Sequence, residues 1–156
     1  MDLEVVKQVV AALEREGVKY VVFGGIAINL LGLACATEDL DLFIEPRREN
    51  VEKLKNALRA VFADPAIEEI SSEELLNNYP AVQYVPPEGT FHLDILTRLG
   101  EAFRFEDLEA IPIDLEGQLV SVASPKTLYR MKKGTGRPKD WGDAEAQRHR
   151  FHLEDD

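Results

Sequence analysis

The stretch from Gly24 to Ile44, GGIAINLLGLACATEDLDLFI, constrains the fold more than any other part of this chain. It follows Tyr20-Val21-Val22-Phe23, an apolar run of strand length whose unbroken hydrophobicity predicts burial on both faces. Two glycines end that run, and helix-prone sequence from Ile26 to Leu33 begins at once. After a polar turn, Asp39-Leu40-Asp41-Leu42-Phe43-Ile44 alternates carboxylates with apolar residues. Alternate side chains of a strand share a face, so Asp39 and Asp41 point one way while Leu40 and Leu42 enter the core. Two carboxylates held in this way repel each other unless a cation lies between them. Oxygen-only ligation favours magnesium or manganese as that cation. The strand, Gly-Gly, helix order also leaves backbone N–H groups where a phosphate can approach closely. A phosphate cradle beside paired carboxylates points to a nucleoside triphosphate as ligand.

The remaining chain supplies a frame for this stretch. Leu3, Val6, Val9 or Val10, and Leu13 recur at helical spacing and end at Gly17, which predicts an amphipathic helix over 3–16. A strand is expected over 18–23 and the acidic strand over 39–45, stopped by Pro46. A helix over 49–62 carries Val51, Leu54, Leu58 and Val61 or Phe62 as its buried stripe. Residues 66–70 read as a short strand, and Ser71 or Ser72 as the cap of a helical turn through Asn77. Prolines and a glycine bracket a strand at 81–85. Thr90 to Leu96 alternates again, with His92, Asp94 and Leu96 on one face and Phe91, Leu93 and Ile95 on the other. If this strand pairs with 39–45, Asp94 completes a three-carboxylate cluster with Asp39 and Asp41. Residues 101–108 read as a loop with a helical turn. Ile111–Leu115 and Leu119–Val122, separated by Glu-Gly, read as a hairpin at the sheet margin. Helices over 126–133, after Ser124-Pro125, and from about 138 to 152 close the chain. Strands joined through helices predict an α+β (mixed α/β) fold, a central mixed sheet flanked by helices, in a single domain over 1–156.

Bulk properties narrow the setting. With 45% apolar and 30% charged residues, the chain is neither disordered nor membrane-embedded, and its longest apolar stretch is broken by Gly24, Gly25, Asn29 and Gly32. One cysteine, Cys35, permits no internal disulfide, and the acidic, polar start is unlike a secretory signal, so a cytoplasmic location is expected. A net charge of −11 disfavours a protein that merely coats nucleic acid. The charge is uneven: residues 124–150 hold eight Lys and Arg against three acids, a local +5 that leaves the rest at −16. An acidic, metal-binding body with a basic C-terminal segment suits a polyphosphate held between them, although a solvated basic helix explains the same pattern.

Taken in order, G-G-x-A, T-x-D-L-D-L and the later F-H-L-D-I-L resemble the DNA polymerase β-like nucleotidyltransferase superfamily. The C-terminal K-K-G-T-G-R-P-K-D-W-G-D resembles the AbiEii-like group of small nucleotidyltransferases, which includes toxins of type IV toxin–antitoxin systems. The resemblance covers 20–44, 91–96 and 128–147. It implies a polymerase β-like core that transfers a nucleoside monophosphate from an NTP to an acceptor and releases pyrophosphate. It implies that Asp39 and Asp41 hold two Mg²⁺ or Mn²⁺ ions, and that Asp94 shares one and activates the attacking hydroxyl. It also implies that Gly24 and Gly25 form the triphosphate-binding turn and that Lys132 lies near the nucleotide phosphates. Arg137, Lys139, Asp140 and Asp143 match the group's R-x-K-D-x-x-D run. A departure falls around Cys35, where related sequences often carry an arginine. The acceptor stays open between tRNA, a protein side chain and a small molecule such as an aminoglycoside, and a cognate antitoxin is an expected partner.

Each of these residues also has a plainer reading. Asp39, Asp41 and Asp94 can be ordinary acids on a half-exposed strand, and His92 a hydrogen-bonded bystander rather than a substrate contact. Lys132 and Asp140 can tie two helices, Asp143 can serve a helix dipole, Trp141 can be packing and Cys35 a small buried side chain. The alternative function is a catalytically silent nucleotide-binding or protein-interaction module of the same fold. A D-x-D sugar transferase fits less well with the glycine turn and the distant Asp94.

Overall fold

The computed structural model describes residues 3–32, 39–77, 81–87, 92–99 and 103–133. Helix α1 (Leu3–Glu16) buries Val6, Val9, Val10, Ala12 and Leu13. It ends where Gly17 adopts φ +73°. There the Gly17 N–H donates to the Glu14 carbonyl and the Val18 N–H to the Leu13 carbonyl, satisfying two of the four terminal acceptors of the helix. Strand β1 (Tyr20–Phe23) follows and runs directly into α2 (Gly24–Leu30). The expected helix therefore starts two residues earlier than its side-chain pattern suggests, because the chain turns at Gly24 itself, where φ is +71°. After β2 (Asp39–Ile44), helix α3 (Arg48–Val61) buries Val51, Leu54 and Leu58 as the stripe predicts.

The expected strand at 66–70 is instead a 3₁₀ turn, Pro65–Glu69. Asp64 caps it by accepting from the Ala66 N–H at 3.0 Å, and Pro65 stands at its first position. Both are helix-start signals, and they outweigh the β-branched residues that follow. Helix α4 (Ser72–Asn77) is capped by Ser71, whose Oγ accepts from the Glu74 N–H. Strands β3 (Ala81–Tyr84) and β4 (His92–Leu96) come next, then a small ribbon of β5 (Arg98–Leu99) with β6 (Phe103–Arg104), where the sequence pattern suggests only loop. A 3₁₀ turn at Phe105–Asp107 supplies the expected helical turn. Strands β7 (Ala110–Leu115) and β8 (Gln118–Ala123) form the expected hairpin, and α5 (Pro125–Lys133) follows.

The main sheet has the order β3-β4-β2-β1-β8-β7. β2 runs parallel to β4 and β1 parallel to β8, while the other three pairings are antiparallel. The return from β2 to a parallel β4 takes the chain through α3, α4 and β3, the crossover a parallel pair requires. Among the described residues, no helix is long and apolar enough to cross a membrane.

One buried side chain fixes the register on which the site depends. Asn50, 5% exposed, accepts from the Lys19 N–H at 2.8 Å and donates to the carbonyls of Lys19 and Glu45, both at 3.0 Å. Lys19 precedes β1 and Glu45 follows β2, so one amide closes that end of the antiparallel pair, where Tyr20 faces Ile44. Counting along the ladder from there puts Phe23 opposite Asp41. Gly24, the next residue, is thereby delivered to the Asp41 side chain.

Candidate active site

The alternation read from the sequence governs the β2–β4 pair. Leu40, Leu42, Leu93 and Ile95 are fully buried, whereas Asp39, Asp41, His92 and Asp94 are half-buried. The strands are parallel and in a register that sets Asp41 beside Asp94 and Asp39 beside His92. Neighbouring strands lie about 4.8 Å apart and residues two apart on a strand about 6.6 Å. Asp94 is thus an immediate neighbour of Asp41 and a diagonal neighbour of Asp39. All three carboxylates emerge from one face of two adjacent strands, beside the glycine bend.

Each carboxylate has its own surroundings. Nδ1 of His92 lies 3.3 Å from Oδ1 of Asp39, with both side chains a little over 40% exposed. Asp94 Oδ1 accepts from the Gln83 side-chain amide at 3.2 Å. The Asp41 carboxylate is packed against Gly24: a Cβ placed on that glycine would overlap the carboxylate oxygen and lie 2.9 Å from Cγ. With the side chains turned in these three directions, no three His, Cys, Asp or Glu residues among those described are gathered as a ready-made metal cage. The donor set nonetheless suits a hard divalent cation, since it is carboxylate oxygen throughout, half-exposed and on one face. The absence of a Cβ at Gly24 lets the Asp41 carboxylate occupy the space that a side chain there would fill.

Gly25 is buried in α2 directly after Gly24. Lys132 belongs to α5, whose backbone is described. Arg137, Lys139, Asp140, Asp143, Trp141 and Cys35 lie outside the described residues, as does the expected last helix. Gln83 is the neighbour that the motifs did not reveal. Pairing β3 antiparallel to β4 sets position 83 opposite 94, and only knowledge of that pairing marks this glutamine out in the sequence.

Residues 9–133 match a family model described as Nucleotidyl transferase AbiEii toxin, Type IV TA system. The chain belongs to the AbiEii family. No curated protein sequence matches this AbiEii-family chain. Among solved structures, it is similar to a Thermotoga maritima protein assigned as a nucleotidyltransferase, with 16% identity, a TM-score of 0.59, and 96% of this chain and 92% of that one covered. It is similar to an antigenic nucleotidyltransferase-like protein from Paracoccidioides brasiliensis, with 20% identity and a TM-score of 0.54 over 92% of this chain and 72% of that one. It is also similar to ANT(2″)-Ia in complex with adenylyl-2″-tobramycin, with 15% identity and a TM-score of 0.57 over 97% of this chain and 91% of that one. At such identities the structural likeness speaks for the fold, and the family match for the class of enzyme. The AbiEii-family chain is a nucleotidyltransferase, built on a mixed sheet with flanking helices.

Proposed function

We propose that this nucleotidyltransferase moves a nucleoside monophosphate from an NTP to a hydroxyl-bearing acceptor, with Asp39, Asp41 and Asp94 as its acidic centre. The observation that carries the reading is the parallel register that sets Asp41 beside Asp94, with Gly24 packed on the Asp41 carboxylate. Asp39 and Asp41 would hold Mg²⁺ or Mn²⁺, and Asp94 would share one of the ions. When bound, such ions neutralise charge on the attacking and departing oxygens of an in-line displacement.

The chain's own groups do the rest. Asp94, on the exposed face of β4, takes the proton from the acceptor hydroxyl as that oxygen bonds to the α-phosphorus. The bond from the α-phosphorus to the bridging oxygen breaks, and pyrophosphate leaves with the electron pair. Backbone N–H groups at Gly24 and Gly25 orient the triphosphate, and the sequence motif that carries Lys132, Arg137, Lys139 and Asp140 supplies the candidates for its further contacts. Chemistry of this kind depends chiefly on positioning and electrostatics, so a small set of side chains suffices.

The family description supports a toxin role with a cognate antitoxin as partner. The adenylyl-2″-tobramycin bound to ANT(2″)-Ia supports a small polyhydroxylated acceptor, beside tRNA or a protein hydroxyl. Incubation of the purified chain with each α-³²P-labelled NTP, Mg²⁺ and candidate acceptors tests the reaction. Label transfer with pyrophosphate release, lost in Asp39→Asn, Asp41→Asn and Asp94→Asn, is the expected result. Transfer that persists in all three variants overturns the assignment of the site. Nucleotide binding without pyrophosphate release, under every acceptor, favours the silent binding module.

A further inference from the structure

Three adjacent strands carry one polar row across the sheet: Gln83 on β3 faces Asp94 on β4, which faces Asp41 on β2. Gln83 stands on the edge strand, is exposed, and gives its Nε2–H to Oδ1 of Asp94 at 3.2 Å. Its neighbours in the chain do other work. Val82 packs on the core, and the Tyr84 hydroxyl is spent on Asp64 Oδ2 at 2.8 Å, anchoring β3 to the 3₁₀ turn. Among the described residues, Oδ2 of Asp94 has no hydrogen-bond partner, so the glutamine occupies one oxygen and leaves the other.

We propose that Gln83 is a positioning residue for Asp94, an inference that rests on the reading of Asp94 as an acidic group of the active site. A lone carboxylate on a half-exposed strand rotates among several orientations. A donor fixed on one oxygen selects the orientation in which the second oxygen is available beside Asp41. The neutrality of the amide matters as much as its reach. A lysine or arginine at position 83 would orient Asp94 equally well but would cancel the charge that a cation needs from it. A carboxamide directs the group without neutralising it, which is the service that partners of metal-ligating carboxylates commonly perform. Gln83 itself touches neither ion nor nucleotide in this scheme and acts only through Asp94.

Mn²⁺ titration of the full chain, read by electron paramagnetic resonance, tests this apart from turnover. Gln83→Met keeps the length and removes the donor, and is expected to weaken Mn²⁺ binding about tenfold with an unchanged melting temperature. Gln83→Lys, which restores a donor but adds positive charge, is expected to weaken it as well. In an Asp94→Asn background, Gln83→Met is expected to add no further loss. If Asp94→Asn weakens binding while Gln83→Met binds like the wild type, the role of Gln83 is overturned and the acidic centre stands. If the two losses add, Gln83 does not act through Asp94 and the proposal is likewise overturned. If Asp94→Asn itself binds Mn²⁺ like the wild type, the reading of the acidic centre fails, and the proposal falls with it.

Discussion

Gly24→Ala probes the contact on which the site's geometry turns. At φ +71° a residue with a Cβ occupies left-handed backbone space, at a cost of about 1–2 kcal/mol. The new methyl group would also overlap the Asp41 carboxylate, whose Cγ would stand at 2.9 Å, so Asp41 must leave its rotamer. Such a displacement costs about 0.5–1.5 kcal/mol. The sum, about 1.5–3.5 kcal/mol, corresponds to a fall in melting temperature of roughly 3–14 °C for a domain of this size. The two parts separate in an Asp41→Ala background. There the carboxylate is gone while the Cβ of Asp41, at 3.3 Å, remains. The penalty of Gly24→Ala should then shrink toward the backbone cost alone, about 1–2 kcal/mol. Thermal unfolding of the four variants by circular dichroism measures both parts. A Gly24→Ala chain that melts with the wild type, or that loses the same amount with and without the Asp41 carboxylate, refutes the close approach.

The rest of the fold offers further tests. Asn50→Ala removes three hydrogen bonds and strands the Lys19 N–H and the Glu45 carbonyl, while the Lys19 carbonyl keeps the Glu45 N–H, so a loss of about 3 kcal/mol is expected in urea unfolding. Glu116 adopts φ +49° beside Gly117 at +92° in the β7–β8 hairpin, so Glu116→Asn, which tolerates that conformation, should stabilise the chain by about 0.5 kcal/mol in the same assay. Burial, and then hydrogen bonds to Glu14 and Asp64 respectively, raise the Tyr20 and Tyr84 phenols well above their ordinary value. The folded chain keeps those protons where the unfolded chain releases them. Their contribution is therefore whole below pH ~10 and declines as pH rises above it. Melting temperatures followed from pH 8 upward should fall above pH ~10, with a shallower slope in Tyr20→Phe.

Much of this molecule was legible in local pattern. The spacing of Val6, Val9, Val10 and Leu13 fixed α1, and the alternation in 39–44 and 92–96 fixed which residues face solvent. The ordered motifs around Gly24, Asp39 and Asp94 pointed to the nucleotidyltransferase fold, because a glycine bend and alternating acids are properties of a short segment. The 66–70 segment departs from its strand-like pattern because capping by Asp64 and Pro65, set just before it, decides its conformation. The β5–β6 ribbon leaves no mark in the sequence because two-residue strands carry no period at all.

What no segment could state was which strands become neighbours and in what register. Asp41 and Asp94 are 53 positions apart, and their adjacency exists only because β4 returns parallel to β2. The approach of Gly24 to Asp41 depends on a register secured from the far end of the ladder by Asn50, which the sequence presents as one more polar helix residue. Gln83 acquires its place beside Asp94 only when β3 closes the sheet edge. Side-chain periodicity is written in the backbone geometry of a few residues, whereas strand pairing is chosen by the packing of the whole core, and there the three-dimensional structure alone decides.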